Sequence, residues 1–154
     1  MRRAVCAALL ALGSMSGAHA AGNEVYDATC GFCHQSKGAG LKGQFPRLAG
    51  RVDRMAADAD ARVYLIQTVL HGLVGRIEVD GASIVGGVMP PFESQPDAAV
   101  ASVLNYLIAL GGPGAKKVKP VTAAEVAAVR AGERLSGPQL IERRKALAAA
   151  GHVP

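Results

Sequence analysis

Tryptophan is absent from this 154-residue chain, and only three phenylalanines and three tyrosines stand in for it. Large flat side chains usually supply much of a small core. At 4% aromatic content, this core must be aliphatic or built around something the chain itself does not provide. Cysteine is scarce as well. Three residues exclude a multi-disulfide scaffold, and with no second cysteine pair and no Cys/His quartet the pattern of a structural zinc site is missing. Only 19% of residues are charged while 50% are apolar, a balance that excludes wholesale disorder. The net charge of +5 is too modest to argue for nucleic acid. No apolar run reaches the roughly 20 residues of a membrane-spanning helix, and no segment repeats at a fixed period. The length suits one domain with an appendage.

The first stretch reads as an address. Arg2 and Arg3 precede the short apolar run AVCAALLALG, and Ala18-His19-Ala20 has the small-x-small pattern of a cleavage site. This predicts a secretory leader over residues 1–20, removed after Ala20 together with Cys6, and hence a periplasmic protein. Export leaves Cys30 and Cys33 where free thiols normally oxidise, so their persistence needs a chemical reason.

Periodicity then predicts a helix-rich chain. Residues 22–30 suit one or two helical turns, with Gly22 and Tyr26 on one face. Residues 35–50, rich in Gly, Lys and Gln, suit a loop. Residues 53–71 carry Val63, Leu65, Ile66, Val69 and Leu70 at helical spacing, with Gly72 as a stop. Asp80-Gly81 is a two-residue turn signal inside RIEVDGASIV and predicts a hairpin over 76–85. The segment from Gly86 to Phe92 holds Pro90 and Pro91 and is expected outside helix and sheet. Val100, Val103, Leu104, Leu107 and Leu110 make the apolar stripe of a helix over 95–110, with Ser94 as its expected N-cap. Beyond residue 114 the composition turns basic: residues 115–154 hold 8 cationic and 3 acidic side chains, against 7 and 9 in residues 21–114. Thr122 with Glu125, and Ser136 with Gln139, predict two capped helices in this extension. His152 is expected in solvent.

The chemistry concentrates in Cys30-Gly31-Phe32-Cys33-His34, the C-x-x-C-H pattern of covalent haem attachment. Each thiol can add across a vinyl group of the porphyrin, and the next residue, His34, is then held under the iron. A bound porphyrin explains both the surviving dithiol and the shortage of aromatics. A thioredoxin-like reading of Cys-x-x-Cys needs a preceding strand in a βαβ setting, and residue 30 has none. For the sixth iron position Met89 is the best candidate, because its Gly/Pro loop can aim the side chain and a thioether raises the potential. Met55 and His71 are rivals. A metal-bound histidine usually donates its other N–H to an acceptor; the carbonyl of Pro46 is the candidate, and Leu48 is placed to pack on the haem.

These motifs resemble those of the class I monohaem c-type cytochromes of the bacterial periplasm, over roughly residues 22–111. Gly22 and Tyr26 match the family's first helix, Tyr106 matches the aromatic that this helix crosses, and Gly87-Val88-Met89-Pro90-Pro91 matches its axial methionine loop. Leu70-His71-Gly72-Leu73 with the hairpin, and VTAAEVAAVRA in the extension, are similar to a subgroup found beside periplasmic dehydrogenases, although Ile84-Val85 stands where that subgroup often has an aromatic. The resemblance implies an all-α fold of three to five helices around one covalent haem c, with a small hairpin and a C-terminal helical extension: leader 1–20, cytochrome domain 21–114, extension 115–154. It implies His34 and Met89 as axial ligands and one-electron transfer with a periplasmic dehydrogenase, terminal oxidase or reductase. No membrane span is expected after leader removal, no nucleic-acid partner, and no catalysis of its own. A haem enzyme with a labile sixth site, such as a peroxidase, is the alternative.

Overall fold

The computed structural model describes residues 16–154. The leader expected over residues 1–20 lies for the most part outside the described residues. Helix α1 (Ser16–Thr29) crosses α5 (Asp97–Ala109), and the crossing is as close as backbones allow. A Cβ on Gly22 would stand 2.4 Å from the Ser102 carbonyl oxygen and 3.0 Å from Tyr106 Cβ. One turn on, fully buried Tyr26 sets its ring 5.2 Å from that of Tyr106. Aromatic pairs at such separations add attraction beyond area burial.

The single helix expected over 53–71 is two. Helix α2 (Gly31–His34) carries the cysteine motif; after a loop, α3 (Val52–Ala56) and α4 (Ala59–His71) follow. Asp58 divides them because its backbone is extended, at φ −98° and ψ 138°, and its carboxylate accepts the Ala61 N–H at 2.8 Å. This satisfies an otherwise orphaned donor of the new helix.

Two small antiparallel ladders come next. Strands β2 (Ile77–Val79) and β3 (Ala82–Ile84) form the hairpin, closed by Asp80 and Gly81 at φ 52° and 70°, as its turn signal predicted. Strand β1 (Leu73–Val74) pairs with β4 (Val88–Met89), placing Leu73 opposite Met89. The loop expected out of sheet therefore contributes a strand: Val88 and Met89 retain the N–H groups that Pro90 and Pro91 lack. Gly72 makes the close approach possible. Its φ is 76°, and a Cβ there would lie 2.5 Å from the Met89 carbonyl oxygen.

Helix α5 begins at Asp97, with Pro96 rather than Ser94 at its cap. Arg130 takes over this end, bonding Asp97 Oδ1 at 2.8 Å and the Gln95 carbonyl oxygen at 2.8 Å, and contacting the Glu93 carbonyl oxygen. Arg130 closes α6 (Ala123–Arg130), and α7 (Gly137–Ala149) follows. Both begin with capping boxes, at Thr122/Glu125 and Ser136/Gln139. His152, expected in solvent, instead pairs with Asp58 at 2.7 Å.

The extension packs on the preceding helices. Val121 and Val126 join one apolar cluster with Tyr26, Ile66, Leu70, Val100 and Leu104. Leu140, Ile141, Leu147 and Val153 make up half of a second, with Met55, Ala61, Tyr64 and Leu73. Polar clamps accompany both. Asn105 brackets Val121, donating to its carbonyl at 2.8 Å and accepting its N–H at 2.7 Å. Arg62 grips Glu125 through two bonds of 2.8 and 3.0 Å and donates to the carbonyls of Lys119 and Pro120. No helix among the described residues is long and apolar enough to cross a membrane.

Candidate functional site

Helix α2 is a single turn, and its shortness is what groups the reactive atoms. Cys30 caps it, Cys33 lies three residues on and His34 four, so all three share one face. The backbone reverses directly afterwards: Gln35 and Lys37 hold φ values of 59° and 54°, followed by Gly38 and Gly40 at 68° and 70°. Positive φ at two non-glycine residues is uncommon and must be held by surrounding contacts. Those contacts are present. Tyr26 donates its hydroxyl hydrogen to the Gln35 carbonyl at 2.6 Å, the Gln35 amide donates to the Phe32 and Cys33 carbonyls, and Gly40 N–H returns to the His34 carbonyl at 2.8 Å. Burial pushes the Tyr26 phenol up to about 12, so it stays a donor.

His34 is buried, and its Nδ1 lies 2.9 Å from the carbonyl oxygen of Pro46. A carbonyl only accepts, so Nδ1 carries the proton and Nε2 keeps its lone pair. Burial holds the imidazole below its usual range, with the Pro46 bond acting in the opposite direction. The ring is therefore neutral at ordinary pH and able to ligate through Nε2. Burial raises the Cys30 thiol; a hydrogen bond with Thr29, 3.3 Å between Oγ1 and Sγ, acts against that rise, and the nearby Cys33 adds to it.

Cys30, His34 and Pro46 border a cleft of two overlapping lobes, about 720 and 790 Å³ with their open mouths included. Both lobes also touch Leu73, Ile77 and Met89. Volumes of this order suit cofactor-sized ligands. The outer lobe adds Cys33, Phe45, Ile84, Val88 and Phe92, and the inner one adds Leu48, Val52, Met55 and Leu104. All six residues named from sequence thus line one connected cleft. Of the two rivals, Met55 is inside it. His71 is outside, accepting the Leu135 N–H at 3.4 Å on the side facing the extension.

Sequence reasoning missed the polar part of the lining. The inner lobe also carries Arg47, Arg51, Arg144, Tyr64 and Thr68. Arg51 is only 5% exposed and bonds Asp80 at 2.8 Å. The hydroxyls of Tyr64 and Thr68 are buried without a partner. One signal was available: Tyr64 and Thr68 are four residues apart, so their polar tips share one face of α4.

The chain is similar to known proteins over most of its length. Residues 17–107 match the family described as cytochrome c oxidase, cbb3-type, subunit III. A protein named cytochrome c-552 from Thermus thermophilus is 43% identical over 150 residues, covering 96% of this chain and 98% of its own length. A second cytochrome c-552 from the same species is 44% identical over 129 residues, covering 82% and 95% respectively.

Proposed function

The chain belongs to the monohaem c-type cytochromes, and from that premise we propose that it is a periplasmic carrier moving one electron at a time on a haem held covalently by Cys30 and Cys33. The observation that carries this reading is the grouping of two thiols and a neutral, carbonyl-oriented imidazole on one helical turn, against an apolar cleft that Met89 also lines. These residues fit the group. The apolar lining suits a porphyrin plane, while the unpartnered Tyr64 and Thr68 hydroxyls and the buried Arg51 offer donors that an apolar ligand would leave unused.

Bound haem supplies a one-electron Fe(III)/Fe(II) couple. The protein does the rest. Cys30 and Cys33 would hold the ring through thioethers. His34 would ligate the iron through Nε2, with Pro46 holding its tautomer and orientation. Met89 would offer the iron a soft thioether sulfur, which favours the ferrous state. Leu48, from the inner lobe, would pack against the ring and exclude water. An iron held by both His34 and Met89 would leave no coordination place for a substrate, which favours carriage over catalysis. Phe32 is 90% exposed beside the cysteines, and Val85 and Val88 are exposed just ahead of Met89. This apolar rim suits brief docking of a periplasmic dehydrogenase, terminal oxidase or reductase; redox encounters of this kind are small.

The test is a pyridine haemochrome spectrum on protein matured by export, followed by potentiometry of Met89→Ala. The carrier reading expects covalent haem in both proteins, and in the variant a lower potential with new binding of added imidazole. A colourless protein, or a Met89→Ala variant unchanged in both respects, would refute it; the second result would favour an enzyme with a labile sixth site.

A further inference from the structure

The ring of Tyr26 and its hydroxyl have separate tasks. The ring closes the crossing of α1 with α5, 5.2 Å from that of Tyr106, and a ring without a hydroxyl would pack there as well. A fully buried hydroxyl costs free energy unless it is hydrogen-bonded, and this one donates to the Gln35 carbonyl at 2.6 Å. Gln35 directly follows His34 and opens a hinge with φ values of 59° at Gln35 and 54° at Lys37, a region that L side chains adopt only under restraint. Tyr26 reaches this hinge from α1, a separate element.

Beyond the hinge two arms fold onto each other. Gly38 N–H returns to the Gln35 carbonyl at 3.2 Å, and the Gly38 carbonyl takes the Leu48 and Ala49 N–H groups at 2.8 and 3.1 Å. Leu41 and Phe45 exchange both backbone bonds at 2.8 Å. Gly40 shows how closely the arms lie: its φ is 70°, and a Cβ there would stand 2.5 Å from the Arg47 nitrogen. The second arm presents the Pro46 carbonyl to His34 Nδ1 at 2.9 Å. One run of hydrogen bonds thus leads from the Tyr26 hydroxyl through Gln35, Gly38 and Leu48 to the segment that holds the imidazole.

We propose that Tyr26 is a positioning residue for His34: its hydroxyl fixes the hinge at Gln35, which sets where the Pro46 carbonyl stands and, through that carbonyl, how strongly the imidazole donates to iron. This rests on the haem reading above. Tyr26 lines neither lobe of the cleft, so it acts only through the loop. A ligating imidazole whose other N–H meets an acceptor is the more basic ligand, and a more basic ligand stabilises ferric iron more than ferrous. The Tyr26 hydroxyl therefore opposes the thioether of Met89 and holds the potential down.

The experiment compares the haem-bearing protein with Tyr26→Phe and Tyr106→Phe, by spectroelectrochemical titration and by proton NMR of the His34 ring N–H in the ferrous state. Tyr26→Phe keeps the aromatic crossing and removes only the donor. It is expected to speed solvent exchange of the His34 ring proton about tenfold and to shift the ferric/ferrous ratio at fixed potential about threefold toward ferrous. Tyr106→Phe removes the other hydroxyl of the same ring pair and should leave both readings unchanged. A ring proton that exchanges no faster in haem-bearing Tyr26→Phe, or a ratio that does not move, would overturn the inference and leave the haem reading intact. Equal changes in Tyr106→Phe would also overturn it, because they would assign the effect to the helix crossing. Should Tyr26→Phe fail to mature, the unmodified protein still decides: the Gly38 and Leu48 amides should be protected from exchange to the same degree, within about threefold, as members of one opening unit. Unequal protection would overturn the inference. Absence of covalent haem from the unmodified protein would remove both readings.

Discussion

The two apolar clusters of this protein are closed by different means. On the α1/α5 side the chain closes on itself: Gly22 lets backbone meet backbone, Tyr26 and Tyr106 pack ring on ring, and helices far apart in sequence are joined by contact alone. On the other side Met55, Ala61, Tyr64 and Leu73 pack with Leu65, Ile77 and Met89. Leu140, Ile141, Leu147 and Val153 of the extension cover them. The second side also brings Tyr64, Arg51 and Arg144 to the same cleft. The difference teaches that the extension supplies half of the cluster on the side where polar groups line the cleft, whereas on the other side it adds Ala115, Val121 and Val126 to a cluster built mainly by the preceding helices.

The comparison breaks most readily at Leu140, which is fully buried. Leu140→Ala should cost about 2–5 kcal/mol, the usual range for a leucine truncated in a core, and thermal unfolding of the holoprotein should remain a single transition at lower temperature. Two separate transitions would show that the extension is an independent module. At the helix crossing, Gly22→Ala should cost about 1–3 kcal/mol by forcing the backbones apart. Chemical denaturation measures that loss, and a neutral result would mean that α1 is not held where the close approach places it. The smallest effect concerns the clamp between the regions. Arg62, and then the Thr122 hydrogen bonds, hold the Glu125 carboxyl down to about 2 from its ordinary 4.5. A depressed carboxylate contributes stability above the unfolded value, and this is lost as pH falls through the folded one. Acidification from about 4.5 to about 2 should therefore increase hydrogen exchange in α6 before α5, and Glu125→Gln should abolish that dependence. The Glu125 side chain is 41% exposed, so the contribution of the pair is small.

Much of the site was legible because its chemistry is local in sequence. Cys30, Cys33 and His34 lie within one helical turn, so their spacing alone places them on one face. The Asp80-Gly81 turn and the two capping boxes are equally short-range, and each forms where its residues stand. The errors came wherever a distant group intervened. Asp58 ended one helix and began another, and its carboxylate then drew in His152, 94 positions along. Ser94 suited an N-cap, but Arg130 arrived from α6 to hold that end of α5 through Asp97 and neighbouring carbonyls. The inner-lobe lining was illegible for the same reason: Arg51, Tyr64 and Arg144 have no shared spacing, and only packing brings them together.

By itself the sequence determined the attachment turn, the hairpin, the helical stripes and the helix starts marked by capping boxes, because each depends on residues within a few positions of one another and on the fixed geometry of one turn. Tertiary structure alone decided where the long helix breaks, and that the basic extension lies against the cleft with an arginine on its wall. Those outcomes depend on burial and on pairing between charges many residues apart, quantities that exist only once the chain has folded on itself.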